Sequence, residues 1–338
     1  MLKNFLTHIN PKSDARPLPW RIQTSFAALA ALSLTAALTL AANLSLAQDP
    51  FRNNNPQIVG EKTKAAFKAL FEKGDYATAS KYLHAATSKE ANEPLFYALK
   101  ASLAYLQEDW GALDAYARKT RETAKLLSST NPLRGNLYIA ASYFLEGASI
   151  ISQQGTVKGT PQVLNKLREV FQYLDAAEKI APQDPEFNLL KGYMDLMLAV
   201  NLPFSEPTEA INRLEKYAQP RFLAERGLAL AYRNLKEYDK ALNYVNRALE
   251  QTPDNPEVHY LKAQILVNLK KNAEAKEHFN QALIKSEQLP KNSIQQIFYE
   301  ACKNRKRLEK AQWNCDGLRD KIRENPGIWG PKELPQLE

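Results

Sequence analysis

Residues 222–287 read FLAERGLALAYRNLKEYDKALNYVNRALEQTPDNPEVHYLKAQILVNLKKNAEAKEHFNQALIKSE, and this stretch decides the fold. Within it, Ala224, Leu228, Ala231, Tyr232 and Leu235 recur at helical spacing, and Tyr238, Ala241, Leu242, Val245, Ala248 and Leu249 do so again. Only Lys236 and Glu237 separate the two patterns, a connection so short that the helices must run antiparallel. Shifted by 34 positions, Ala229, Leu235, Lys236, Ala241, Asn246, Ala248 and Leu249 fall on Ala263, Leu269, Lys270, Ala275, Asn280, Ala282 and Leu283. Small side chains at fixed intervals let two helices approach closely, and larger apolar residues fill the space between them. Pro253 ends the second helix, because it cannot donate the helical bond and disfavours helix in the residue before it.

A 34-residue unit with Leu228, Ala229, Tyr232, Ala241, Val245, Ala248 and Pro253, followed by Ala263, Ala275, Phe279 and Ala282, resembles the tetratricopeptide repeat (TPR) family. The resemblance implies an all-α fold, a right-handed superhelical solenoid of antiparallel helix pairs. Departures are visible: Glu225 and His259 stand where the family's first-helix Trp is expected, and Glu287 replaces the closing Pro. Weaker copies lie upstream, with Gly74-Asp75 as a turn before Tyr76, Ala79, Tyr82, Leu83 and Ala86, and with Ala177, Pro182 and Pro185-Glu186 mirroring the later repeats. In 94–160 only Ala101, Trp110 and Leu113 correspond, and Asn201-Leu202-Pro203-Phe204 stretches the following unit. About six helix pairs are expected over 59–287.

The chain carries 45 Lys and Arg against 37 Asp and Glu, but Lys3, Lys12, Arg16 and Arg21 lie in the first 47 residues with only Asp14 opposing them. The remaining surplus is five, too modest to imply nucleic acid. Those scattered charges precede an uncharged Ala- and Leu-rich run, Phe26–Ala47, which closes on Ser45-Leu46-Ala47, the layout of an export signal cleaved after Ala47. An uncleaved membrane anchor over 26–47 remains open, since about 20 apolar residues span a bilayer. Either way the rest of the chain is expected outside the cytoplasm, in a periplasm or a thylakoid lumen. Residues 48–58 (QDPFRNNNPQI) read as a polar linker.

In the family's architecture the first helix of each pair lines a concave face. Here that face would present Leu223, Arg226, Leu230, Arg233 and Asn234, then Glu257, Tyr260, Gln264, Val267 and Asn268. Tyr and Arg supply contact area and hydrogen bonds together, so the expected partners are proteins or peptides. Gly227 and Leu230 occupy places where an acidic-tail clamp would need asparagines, which argues against that ligand class.

Past 288, Ile294, Ile297, Phe298, Ala301 and Leu308 keep an apolar stripe while Lys303, Arg305, Lys306, Arg307 and Lys310 crowd the other side, as expected of a capping helical region over 288–324. Cys302 and Cys315 form an even pair that an oxidising compartment permits to bridge, provided the chain turns between them. Residues 325–338, with Pro326, Pro331 and Pro335, read as an extended tail in which Trp329 is able to dock.

No HExxH, GxxxxGK[ST], GxSxG or CxxC pattern is present, and His8, His84, His259 and His278 are dispersed, so no catalytic, metal or cofactor site is expected. The sequence therefore points to a protein-binding scaffold or assembly factor rather than an enzyme. A membrane-anchored structural subunit and a glycan- or peptidoglycan-acting enzyme are the alternatives it leaves open.

Overall fold

The computed structural model describes residues 49–52, 56–86, 90–201, 207–310 and 312–336. The basic and apolar leader, 1–47, lies outside the described residues. The helices are α1 (Glu61–Phe67, continued by a wider turn over Lys68–Glu72), α2 (Tyr76–Ala85), α3 (Pro94–Leu106) and α4 (Trp110–Leu127). They continue with α5 (Pro132–Ile180), α6 (Pro185–Asn201), α7 (Thr208–Lys216), α8 (Arg221–Asn234) and α9 (Tyr238–Gln251). Last come α10 (Pro256–Asn268), α11 (Asn272–Leu283), α12 (Lys291–Glu309) and α13 (Cys315–Glu324). Backbone angles at Gly155 (φ 74°, ψ 171°) break α5 into two helices, so the described residues hold six successive helix pairs between 61 and 283. The fold is an all-α repeat solenoid.

Local signals set the boundaries. Asp75, Asp109, Asn131 and Asn255 accept hydrogen bonds from the first free amides of α2, α4, α5 and α10, while Pro94, Pro132 and Pro256 occupy the first helical turn. The turn inside four of the pairs is built the same way. Gly74, Glu108, Lys236 and Lys270 all adopt positive φ, between 58° and 64°. The residue after each donates back into the preceding helix: Asp75 to Ala69 O, Asp109 to Ala104 O, Glu237 to Tyr232 O and Lys271 to Leu266 O, at 2.7–2.9 Å. Glu108 thus follows Gly74 by the same 34 residues that separate Lys270 from Lys236, a repeat mark that side-chain patterns alone did not show.

In the regular half, Ala229, Ala241, Val245, Ala248, Val258 and Ile265 are all fully buried in one cluster, as close nesting of the helices requires. Replacement of the family's Trp is compensated by charge: Glu225, 3% exposed, accepts from Arg247 Nη2 (2.7 Å) and Gln251 Nε2 (2.6 Å).

Two segments outside the repeats are held against the body. Within the segment read as a polar linker, the described residues 49–52 dock on the body: Phe51 is 2% exposed and meets Phe67 edge-on at 5.1 Å, and Arg52 binds Asp49, Asp184 and Glu186. A single aromatic among polar residues gives no periodicity, so its burial was invisible to pattern reading. The extended tail is pinned through 331, with Lys291 N donating to Ile328 O, Gly330 N to Leu289 O (both 2.9 Å) and Ser286 Oγ to Pro331 O. Cys302 and Cys315 are paired, Cα to Cα 5.8 Å, across the turn between α12 and α13.

The two ends of the solenoid touch. Asn255 Nδ2 donates to Phe71 O (2.9 Å), Asn292 Nδ2 donates to Leu106 O (3.2 Å), and a Cβ on Gly74 would lie 2.7 Å from Pro256 Cδ. The first pair therefore rests on the last, and one apolar core runs from Phe51 to Ile322.

Candidate binding surface

The inner face is built from the first helices of successive pairs. Tyr193 on α6 donates to Leu223 O on α8 (2.7 Å), and Arg226 Nη1 donates to Glu257 Oε2 on α10 (3.1 Å). About two turns further along each helix, Arg233 Nη1 donates to Gln264 Oε1 (2.5 Å), and Gln264 Nε2 donates to Glu300 Oε2 on α12 (2.9 Å). Tyr76, from α2, completes the upper rung: it is 5% exposed and lies in the field of Glu257 and Arg226. Burial, reinforced by the Glu257 carboxylate, pushes the Tyr76 phenol well above its usual range.

The residues expected to line the groove divide by exposure. Leu223, Arg226, Arg233, Tyr260 and Gln264 are buried, at 0–8% exposure; Leu230 and Asn268 are half-buried, and Asn234 is exposed. Of the buried five, Arg226, Arg233, Gln264 and Tyr260 meet side chains of the neighbouring first helix, and Leu223 meets it through its carbonyl. A 34-residue period tells which side of a helix is inward, but not that residues 150 or more positions upstream return to cover it. What stays open is a margin at the C-terminal ends of α8 and α10, marked by Leu230, Asn234 and Asn268.

Around Arg52 a second buried group forms. Its guanidinium lies 2.7 Å from Asp184 and 2.8 Å from Glu186, with Asp49 at 3.0 Å; Arg134 pairs with Glu93 nearby at 2.8 Å. Burial opposes the charge on Arg52, but Glu186, Asp184 and Asp49 together hold it protonated. Carboxylates outnumber guanidiniums, and burial raises the fully enclosed Glu186 well above the ordinary carboxylate range despite Arg52 and Arg134. Asp49 and Phe51 are thereby fastened to the start of α6.

The dispersed histidines of the sequence include one pair in space. His259 Nε2 donates to Pro253 O (2.7 Å), which leaves its Nδ1 to accept from His278 Nδ1 at 2.9 Å. Burial, with Lys262 and then His259 behind it, lowers the His278 pKa to about 4. The pair is a neutral hydrogen-bonded clip. No group of three or more His, Cys, Asp or Glu able to hold a metal occurs among the described residues. A cleft of about 360 Å³ lies at the seam between the two ends, lined by Leu106, Glu108, Lys291, Asn292, Arg323 and Ile328. No helix among the described residues is long and apolar enough to cross a membrane.

Nested helix pairs with shared turns, close-packed alanines and lateral ladders define a helical repeat protein, and comparison with known proteins agrees. Residues 205–265 and 233–288 each match the tetratricopeptide repeat family. Tetratricopeptide repeat protein 7A of Homo sapiens is 28% identical over 142 residues, which cover 42% of this chain and 15% of that protein. The chain thus spans a small part of that relative. A crystal structure of the APC/C hetero-tetramer Cut9–Hcn1 aligns over 66% of this chain and 52% of its own, at 17% identity and a TM-score of 0.32. Residues 205–288 of this chain are thus similar to tetratricopeptide repeats.

Proposed function

We propose that this chain is a protein-binding scaffold acting outside the cytoplasm, and that it takes its partner on the open margin around Leu230, Asn234 and Asn268. The observation that carries this reading is the repeat stack itself. Its inner face is filled by Tyr76 and by lateral side-chain ladders, which leaves that margin as the accessible part of the first-helix surface. The leader pattern of 1–47 and the Cys302–Cys315 bridge both suit an oxidising, exported setting.

Photo-crosslinkers placed at Asn234 and Asn268, with Glu250 on the second helix as control, test the site. The reading expects discrete polypeptide adducts from Asn234 and Asn268 that are absent from Glu250. Adducts equal at all three positions, or none at any, contradict it. Sequencing the mature N-terminus tests the compartment: a start at Gln48 supports a soluble exported protein, whereas retention of residues before Phe26 favours the membrane-anchored subunit.

A further inference from the structure

We infer that the C-terminal cap is a second docking surface, separate from the inner margin, and that it takes an acidic polypeptide segment. Over 48–338 basic residues exceed acidic ones by five, and 291–324 alone holds nine Lys and Arg against five Asp and Glu. Four of the five surplus charges therefore sit on α12, α13 and their connection. Their arrangement is directional. Lys303, Arg307 and Lys310 are exposed, follow one another at intervals of four and three residues, and have no ion pair among the described residues. The opposite side of α12, through Ile294, Ile297, Phe298, Ala301 and Cys302, is buried.

Two half-buried aromatic rings extend the stripe. Lys303 Nζ and the Arg319 guanidinium lie 5.0 and 5.1 Å from the centre of the Tyr299 ring, and Arg305 lies 5.1 Å from that of Trp313. These contacts steady Lys303, Arg305 and Arg319, the two arginines also pairing with Glu309 and with Asp316 and Asp320, and the bridge between Cys302 and Cys315 fixes α12 against α13. A row of cations beside aromatic rings attracts carboxylates and offers apolar contact between them.

The test is fluorescence anisotropy of a labelled Glu-rich dodecapeptide against the protein in the form the cell accumulates. The expected result is salt-sensitive binding that weakens about tenfold in Lys303→Glu/Arg307→Glu/Lys310→Glu and by an intermediate factor in the corresponding triple Gln variant. The control reversal Lys216→Glu/Lys236→Glu/Lys285→Glu, at exposed lysines elsewhere, should leave binding nearly unchanged. Circular dichroism confirms that each variant is folded, and the Gln variant carries the test if the reversed one is not. No peptide binding, or equal loss in the control, overturns the inference. So does stripe-dependent binding of phosphatidylglycerol vesicles in place of the peptide, or stripe-dependent self-association by sedimentation.

Discussion

Residues 208–288 and residues 49–201 solve the same packing problem by different means. In the later half, Ala241, Ala248, Ala275 and Ala282 are fully buried at matching positions of two pairs, so each helix is held chiefly by its neighbours in sequence. The earlier half lacks that regularity and is held by contacts across long stretches of chain: Arg52 to Asp184 and Glu186, Arg134 to Glu93, and Phe71 to Asn255. Local packing produces a readable period. Long-range ion pairs produce the same solidity without one, and hydrogen bonds from Asn255 and Asn292 close the solenoid on its own N-terminal half.

The largest expected effect comes from cutting the long-range links. Arg52→Ala leaves three buried carboxylates without their shared cation and should cost about 3–5 kcal/mol. Urea unfolding measures that loss. Hydrogen exchange should show it first in α1, α2 and α6, with 221–283 still protected; uniform loss across the chain would erase the contrast between the halves.

Next, Ala248→Leu in the regular half should overpack the nest and cost about 1–3 kcal/mol by the same unfolding measurement. A neutral result would mean that the small residues are not what sets helix spacing.

Stability against pH should then separate the halves by sign. Glu186 binds its proton more readily in the folded state than in the unfolded chain, so its contribution falls as pH rises from the ordinary carboxylate range through its raised folded pKa. His278 does the reverse: with its pKa lowered from 6.5 to about 4, its contribution is lost as pH falls between those values. Glu186→Gln should flatten the first slope and His278→Gln the second, read from melting temperature against pH. If each variant flattens neither slope, the burial assigned to these groups is wrong.

The smallest effect tests the shared turn. Lys270 holds a left-handed conformation that costs a side chain about 1 kcal/mol, so Lys270→Gly should be neutral to stabilising by about 0.5–1 kcal/mol. Gly74→Ala should go the other way, because its Cβ would meet Pro256 as well as adopt positive φ.

Much of the fold was legible because 34-residue spacing of small residues survives translation into helices. Ala229, Ala241, Val245 and Ala248 lie where the spacing puts them, and Gly74-Asp75 forms the expected turn. The inner face was legible only in direction. Arg226 and Tyr260 do lie on inward-facing sides, but Tyr76 covers the first and Glu300 lies in the field of the second, and neither contact has a sequence signature. Phe51 and Arg52 were missed for the same reason. The one overlooked signal with a period was the pair Gly74 and Glu108, hidden because Gly and Glu share a backbone conformation and not a side chain.

The central claim, that the first helix pair rests on the last and closes the inner face, is tested most directly by pulsed dipolar spectroscopy. Spin labels on Lys73→Cys and Asp254→Cys would report that contact, since both positions are exposed and the native cysteines are paired. The account predicts a single narrow distribution at close range, matching the bond from Asn255 to Phe71 O. A broad distribution centred at long range, as for an open solenoid with a free N-terminal pair, would contradict it.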